Sequence, residues 1–328
     1  MTSRIEISYK TILFIASIII GLWFVTQIRD IIITLFVSFI LVSALNGLVI
    51  KLVKVRIPRI IAIILIYLLL VFIIGVFLTV IFPPLINESV RLAKKTPQYS
   101  DVLFQTLDLK PDALTQQVSS FSSNAIGVIK SVFSDIFAII STLVITFYLL
   151  LERRNIDTSL LKFFGEVKGK LVIEKVNKIE NRLGGWIRGQ VLLCTIIGIM
   201  SYIGLKLLGI EYALPLALIA AILEIVPVIG PIISAIPAVI IAYVTSPSLA
   251  IATIALYTLI QQLENHLIVP SVMKTAVGLK PIVTIIALMI GGKLLGIAGA
   301  ILAIPILIVI MEVAEDILLQ KGFFQKNT

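Results

Sequence analysis

The stretch that decides the fold is YALPLALIAAILEIVPVIGPIISAIPAVIIAYV, residues 212–244. Its 33 residues include a single charged side chain, Glu224. A continuous helix of this length would measure about 50 Å, whereas the hydrocarbon core of a membrane is roughly 30 Å thick. Pro227, Gly230 and Pro231 interrupt the stretch near its middle. The pattern therefore favours a broken helix in a membrane over one straight crossing.

A second long apolar stretch, residues 281–312, resembles the first. Pro215 and Pro281 are 66 residues apart, and so are Gly230 and Gly296. This weak internal repeat predicts two related broken segments in the C-terminal half. The residues that interrupt the second stretch are Gly291, Gly292, Gly296, Gly299 and Pro305.

Each stretch can form a re-entrant helical hairpin or one kinked crossing. In the hairpin arrangement an ordinary span at about 249–269 separates the two stretches. The first hairpin then dips in from outside and the second from inside, which leaves Lys274 and Lys280 in the cytoplasm. The kinked alternative places both lysines outside. Because cytoplasmic loops carry an excess of Lys and Arg, the sequence favours two hairpins of opposite orientation.

The composition assigns the whole chain to a membrane. Of 328 residues, 59% are hydrophobic and only 14% are charged, and the mean hydropathy is +1.14. A soluble globular protein carries about 25% charged residues, so a soluble fold is excluded. The net charge of +9 could indicate nucleic-acid binding, but the basic residues lie between apolar runs, where membrane topology explains them. We expect one all-α polytopic domain over 1–328, embedded in a lipid bilayer, with no nucleic-acid partner.

Basic residues in the connectors predict the orientation. The loop 51–59 contains four bases and no acid, whereas 83–131 contains five bases and four acids. The positive-inside rule then places 51–59, 152–188 and both termini on the cytoplasmic side of a plasma membrane. Further spans complete about eight membrane segments including the hairpins. These spans are 12–28, 31–50, 60–82, 132–151 and 190–208.

Two connectors are long enough to have structure of their own. Residues 83–131 are proline- and serine-rich, with weak helical periodicity, and we expect an extracytoplasmic helical segment there. Within 152–188 apolar residues recur at steps of three and four between Lys and Glu. This spacing predicts a cytoplasmic amphipathic helix. It can pack on the bundle, lie in the lipid headgroups or bind a partner.

Glu224 is the strongest candidate for a functional residue. Burying a carboxylate at membrane depth is energetically unfavourable unless it is paired, protonated or hydrated. A carboxylate found there is therefore a candidate functional residue. Pro227 lacks an amide hydrogen, and Gly230 and Pro231 follow it. The resulting free carbonyls can coordinate a cation or a polar solute. In the structural alternative, Glu224 neutralises Lys293 or caps a half-helix.

A second polar cluster follows the next span. Gln262, Glu264 and Asn265, with Gln261 and His266 beside them, lie within one and a half helical turns. Together they offer hydrogen-bond donors and acceptors, which suits recognition of a hydroxylated solute or relay of a proton. The alternative is an ordinary polar helix end at the membrane interface.

The sequence lacks common enzyme motifs and the residues needed for a metal site. It has no His-Glu-x-x-His, Gly-x-Ser-x-Gly or Walker motif. Its one cysteine, Cys194, and one histidine, His266, cannot build a metal site by themselves. We therefore expect no enzymatic activity, no cofactor and no metal site, and any transport is driven by a gradient or runs downhill.

The C-terminal half resembles the autoinducer-2 exporter family of prokaryotic membrane proteins over about residues 185–312. The first 185 residues match that family only in layout. Lys280 departs from the histidine usual in relatives before the proline of the Gly-Leu-x-Pro element. The matching motifs are Gly189-Gln190, Glu224-Ile225-Val226-Pro227-Val228-Ile229-Gly230-Pro231, Gln262-x-Glu264-Asn265 with Pro270, Gly278-Leu279-Lys280-Pro281, and Gly291-Gly292 with Gly296, Gly299 and Pro305.

The resemblance implies about eight membrane segments, assembly as a homo-oligomer, specifically a pentamer, and export of small solutes such as autoinducer-2. Some relatives are associated instead with sodium or lithium/proton antiport. A fold hosts several functions, so the substrate must be argued from the site.

The combined expectation is a secondary transporter that exports a small polar solute. We expect Glu224 and the Pro227–Pro231 turn to form one wall of its site, because broken segments in corresponding halves point to a transporter's binding site. Opposite lies either the cluster of Gln262, Glu264 and Asn265 or the turn that contains Gly291, Gly292 and Gly296. The alternatives are a sodium (lithium)/proton antiporter and a membrane scaffold that transports nothing.

Overall fold

The computed structural model describes residues 9–76, 79, 136–227, 229–273 and 281–320. Ten α-helices account for nearly all of them, and a π-helical turn, Glu264–Ile268, joins α8 to α9. The predicted extracytoplasmic segment 83–131 lies outside the described residues. The helices are α1 Tyr9–Gln27, α2 Arg29–Lys54, α3 Arg59–Val76, α4 Ile136–Phe164, α5 Glu166–Leu207, α6 Ala213–Leu223, α7 Ile229–Thr245, α8 Pro247–Leu263, α9 Val269–Val272 and α10 Pro281–Gln320.

By total length and apolar composition alone, five of these helices are candidates to cross a membrane: α1, α2, α3, α5 and α10, the last of which is interrupted at Leu295 and Gly296. The prediction of an all-α polytopic membrane protein is therefore confirmed. The helices α6 and α7 are apolar but shorter, with 11 and 17 residues. Eleven helical residues reach only about 17 Å, so α6 cannot cross a hydrocarbon core of roughly 30 Å.

The N-terminal helices α2, α3 and α4 pack around a core that includes Val49, Ile63 and Leu150. Polar contacts add to this packing, since the Tyr67 hydroxyl donates to the carbonyl of Leu143 at 2.9 Å. The apolar side chains of α1 are exposed in the single chain, and the helix packs only lightly on α2. This places α1 at the edge of the described bundle.

The helix α5 packs against more of the described helices than any other. It has 42 residues and packs against α2, α4, α6, α8 and α10. Small residues permit close crossings: a Cβ at Gly184 would overlap the carbonyl of Ser43 on α2, and one at Gly198 would lie 2.8 Å from the Cβ of Ala221 on α6. Small residues at crossings let helices approach where lipid supplies no hydrophobic drive for association.

The first broken stretch folds as two helices, α6 and α7, separated by a turn at Glu224–Pro227. The sequence predicts Gly230 within the turn itself, but this residue lies in the first turn of α7. Its lack of a side chain serves close packing, because a Cβ there would overlap the carbonyl of Leu223 at the end of α6. The break is confirmed, with this change in the role of the glycine.

The second broken stretch reverses direction within α10. Leu295 has φ −132° and Gly296 has φ +61°, a region that favours glycine. A Cβ at Gly291 would overlap the carbonyl of Gly299, and a Cβ at Gly299 would overlap that of Gly291. In a straight helix these residues would be about 12 Å apart. The two arms therefore form a tight hairpin around Gly296.

The sequence predicts the segment 152–188 as a single amphipathic helix, and this is wrong. It spans the end of α4 and the first half of α5, because the chain reverses at Gly165, whose φ is +78°. Arg153 holds the two helices together. Its Nε donates to Glu180 at 2.7 Å, and its two terminal nitrogens donate to Asp157 at 2.5 Å and Asn177 at 2.7 Å. Arg153 and Glu180 are both buried, so this is an internal ion pair.

A second buried ion cluster joins α5 to α10. Glu312 is fully buried, and its carboxylate lies 2.5 Å from the Lys178 ammonium and 2.8 Å from the Arg182 guanidinium. Leu302 and Ile308 of α10 pack beside this cluster against Leu183 of α5. The second hairpin is therefore attached to α5 by both charge and apolar packing.

Candidate functional site

Glu224 terminates α6 and is completely buried. Its amide nitrogen still donates to the carbonyl of Ala220 at 3.0 Å, whereas its own carbonyl lies at the break, beyond the regular helix. Gln190 of α5 supplies a partner, since its Nε2 donates to the Glu224 carbonyl at 2.6 Å. A side chain from α5 thus satisfies a carbonyl that the break would leave without a donor.

Glu264 brings a second carboxyl group to the same place. It is the first residue of the π-helical turn after α8 and is 3% exposed. The carboxyl groups of Glu224 and Glu264 lie within hydrogen-bonding reach of each other. Gln261 supports this arrangement, because its Nε2 donates to Glu264 Oε2 at 3.1 Å. The structural alternative names Lys293 as the partner of Glu224 or gives Glu224 a capping role. Lys293 is exposed, and the carboxyl group beside Glu224 is that of Glu264, whereas Glu224 does occupy the C-terminal cap position of α6.

Two ionised carboxylates in such contact repel each other strongly in a buried environment. The pair is stable when one carboxyl group holds a proton and donates it to the other, or when a cation lies between them. Both oxygens of Glu224 lack a donor from the part of the chain that the structure describes. The same is true of Gln190 Oε1. The site thus has an excess of acceptors, which suits a proton, a cation or a ligand rich in donors.

Helical geometry divides the predicted polar cluster in two. Glu264 and Gln261 point inward, whereas Gln262, Asn265 and His266 are exposed. The outer residues bond locally: His266 Nδ1 lies 3.0 Å from the carbonyl of Gln262. The structure thus brings Glu264 to Glu224 but leaves Gln262 and Asn265 outside the carboxyl pair.

The other predicted residues shape the two hairpins. Pro227 is partly buried in the turn, and the carbonyl of Pro231 accepts the hydroxyl of Ser234 at 3.0 Å. The glycine turn lies elsewhere, since α10 packs mainly on α5 through residues near Leu183. Among the described residues, no atom outside the local helix lies within 4 Å of a Cβ built at Gly292 or Gly296. The structure does not bring Gly291, Gly292 and Gly296 to the carboxyl pair.

Sequence reasoning missed Gln190 as a site residue, although it noted Gly189-Gln190 as part of the family motif. The available signal was an uncharged polar side chain at the start of an apolar run, a position that also suits an interfacial residue. Only the tertiary contact with the Glu224 carbonyl distinguishes the two roles.

Comparison with known proteins agrees with this architecture. The model of the AI-2E family transporter matches residues 12–319. A candidate transport protein of Bacillus subtilis strain 168, YueF, is 30% identical over 80% of this chain and 78% of its own length. A second one from that strain, YrrI, is 27% identical over 84% of this chain and 82% of its own length. The AI-2 transport protein TqsA of Escherichia coli K12 is 22% identical over 94% of this chain and 92% of its own length. The chain is therefore a multi-pass membrane transporter, and it belongs to the AI-2E transporter family.

Proposed function

We propose that this transporter exports a small polar solute, of the kind named for TqsA, and that the Glu224–Glu264 pair couples export to an ion gradient. The observation that carries the proposal is the contact between two buried carboxyl groups beside the break of the first hairpin. A carboxyl pair that exchanges one proton as it changes its exposure can link solute movement to the proton gradient.

The unpartnered oxygens around this pair support hydrogen-bonded solute recognition. A solute with several hydroxyl groups would donate to Glu224 and to Gln190 Oε1, which have no donor among the described residues. Because buried acceptors that stay unpaired cost free energy, they favour a ligand that supplies donors. This acceptor surplus is the basis for the proposed substrate class.

The same oxygens support a second candidate, sodium (lithium)/proton antiport. Oxygen atoms from carboxylates and amides are the ligands that hard cations prefer. In that mechanism the Glu224–Glu264 pair exchanges a proton for a cation. The third alternative, a membrane scaffold, gives no role to a buried carboxyl pair.

The cellular setting is part of the proposal. The basic connectors favour a plasma membrane location with both termini in the cytoplasm. The exposed apolar surface of α1 is available for contact with lipid or with a second copy in a homo-oligomer, with a pentamer as the expected form.

The test uses purified protein in liposomes that contain a pH-sensitive dye. Proton movement is measured after imposing a sodium gradient or a gradient of an autoinducer-2-type solute. We expect Glu224→Gln and Glu264→Gln to reduce coupled proton movement at least about tenfold, since each removes a proton-exchanging carboxyl group. Glu211→Gln, at an exposed acid before α6, is the matched control and should retain the wild-type rate.

The two driving solutes separate the alternatives. Proton movement driven by sodium or lithium alone supports antiport, whereas movement driven only by the organic solute supports export. Full coupled movement in Glu224→Gln would refute the role of the carboxyl pair. A chain that assembles normally but moves neither solute would favour the scaffold.

A further inference from the structure

Two buried hydroxyl groups in the C-terminal bundle lack hydrogen-bond partners in the described ranges. They are Ser201 Oγ on α5, in a fully buried residue, and the hydroxyl of Tyr257 on α8, in a residue that is 8% exposed. Other buried helical hydroxyls bond to their own helix: Thr253, one turn from Tyr257, donates to the carbonyl of Leu249 at 2.8 Å. The Ser201 hydroxyl does not form such a bond to a carbonyl of its own helix. Since a buried unpaired hydroxyl is unfavourable, the pair calls for an explanation.

The residues Ser201 and Tyr257 both lie beside the contact between α5 and α8. The helices α5 and α8 contact each other where a Cβ at Gly204 would touch the side chain of Leu256. Ser201 is one turn from Gly204, and Tyr257 adjoins Leu256. Tyr257 also belongs to the same apolar core as α5 residues on either side of Ser201. Seven residues, or about 10 Å of helix, separate Tyr257 from Glu264.

Three polar residues in the second half of α5 lie on one face of the helix. Gln190, Cys194 and Ser201 fall within about 40° of one another around a helix of 3.6 residues per turn. The Cys194 thiol lies close enough to Glu224 and Glu264 to interact with them electrostatically. Seven residues, again about 10 Å, separate Cys194 from Ser201. A line of polar groups therefore leads from the carboxyl pair toward the end of the bundle where α5 ends.

An apolar residue interrupts this line. Ile197 lies between Cys194 and Ser201 on the same face of α5 and is 2% exposed. Its side chain packs in the core with Ala220 of α6 and Tyr257 of α8. In this conformation Ile197 closes the line of polar groups.

We propose that Cys194, Ser201 and Tyr257 line a gated water path through which protons reach the Glu224–Glu264 pair, with Ile197 as the gate. The proposal rests on the coupling role of that pair given under Proposed function. In the open conformation each hydroxyl oxygen accepts a proton from a water molecule and releases its own to the next, so neither residue is changed. The path opens at the end of the bundle formed by the C-terminus of α5 and the N-terminus of α8.

Thiol labelling tests whether water enters the path. Ser201→Cys and Ile199→Cys are each made in a Cys194→Ser background, which removes the single native thiol. Both are treated with a charged methanethiosulfonate in vesicles under an imposed gradient, and labelling is quantified by mass spectrometry. Ile199 is the matched control, because it lies about 160° from Ser201 around α5 and is 54% exposed in the single chain. Since a charged reagent needs a hydrated thiolate, we expect the cysteine at 201 to react at least tenfold faster. Equal rates would overturn the path.

Proton movement tests whether the hydroxyl groups take part. Tyr257→Phe and Ser201→Ala should each slow gradient-driven proton movement at least threefold. Thr253→Val is the control, because the hydroxyl it removes is already bonded to its own helix, and its rate should match wild type. Wild-type rates in Tyr257→Phe and Ser201→Ala would overturn the proton role even if labelling succeeded.

The two proposals fail in different ways. If Glu224→Gln leaves coupled proton movement intact, the function assigned to the carboxyl pair is wrong, whatever the labelling shows. If Glu224→Gln abolishes movement but the cysteine at 201 stays unreactive, the coupling site stands and the path is wrong.

Discussion

Replacing Arg153 with methionine should destabilise the junction between α4 and α5 by a predictable amount. The change leaves Glu180, whose side chain is 8% exposed, as a buried carboxylate without its cation. Removing one partner of a buried ion pair typically costs about 3–5 kcal/mol, because the other charge stays desolvated. Asp157 adds little, because it is 39% exposed and can turn to water. We therefore expect a loss of about 3–5 kcal/mol in Arg153→Met.

The measurement is unfolding of the purified protein in mixed micelles, followed by the fluorescence of buried Trp186. The double variant Arg153→Met with Glu180→Met should recover at least about 2 kcal/mol relative to Arg153→Met alone, since no buried charge remains. Lys170→Met is the control: its pair with Glu166 is exposed, so we expect a change below about 1 kcal/mol. A double variant no more stable than Arg153→Met would refute the electrostatic reasoning.

Three further predictions concern the hairpins and their contacts. Gly299→Val should separate the arms of the second hairpin and cost about 1–3 kcal/mol of unfolding free energy, measured in the same micelles, whereas Gly292→Ala, where the added Cβ meets no neighbour, should be nearly neutral. Glu312→Gln should cost less than Arg153→Met, because the cations that it releases are partly exposed; equal losses would contradict this. Gln190→Leu leaves the carbonyl at the α6 break without its donor, so it should cost about 1–3 kcal/mol and lower coupled transport in liposomes; unchanged transport would show that the contact is dispensable.

Much of the fold could be predicted because membrane-spanning helices are specified locally. Apolar length predicts the spans that form α1, α2, α3 and the second half of α5, and Pro227 and Gly296 predict both breaks. The predicted spans 132–151 and 249–269 fall on α4 and α8, which are not among the five candidate crossing helices. The ends of helices were less predictable. The fifth span was predicted at 190–208, but α5 begins at Glu166, because charged residues beyond the membrane continue the same helix.

The site was predictable only in part. Glu224 stands out because a charge in an apolar stretch is costly wherever the chain folds. Glu264 was found together with Gln262 and Asn265, because sequence spacing alone does not tell which side of a helix faces the protein. Gln190 and the ion pair of Arg153 with Glu180 depend on contacts between distant parts of the chain. Such contacts have no local signal in a single sequence.

The unbroken course of α5 has a mechanical consequence. Glu180 pairs with Arg153, and Gln190 donates to the carbonyl at the break of the first hairpin. The two residues are ten positions apart on one continuous helix. They lie about 80° apart around its axis. A rotation of the helix about that axis turns both contacts through the same angle. Any rotation of α5 therefore moves the Arg153–Glu180 ion pair and the Gln190 contact beside the carboxyl pair together.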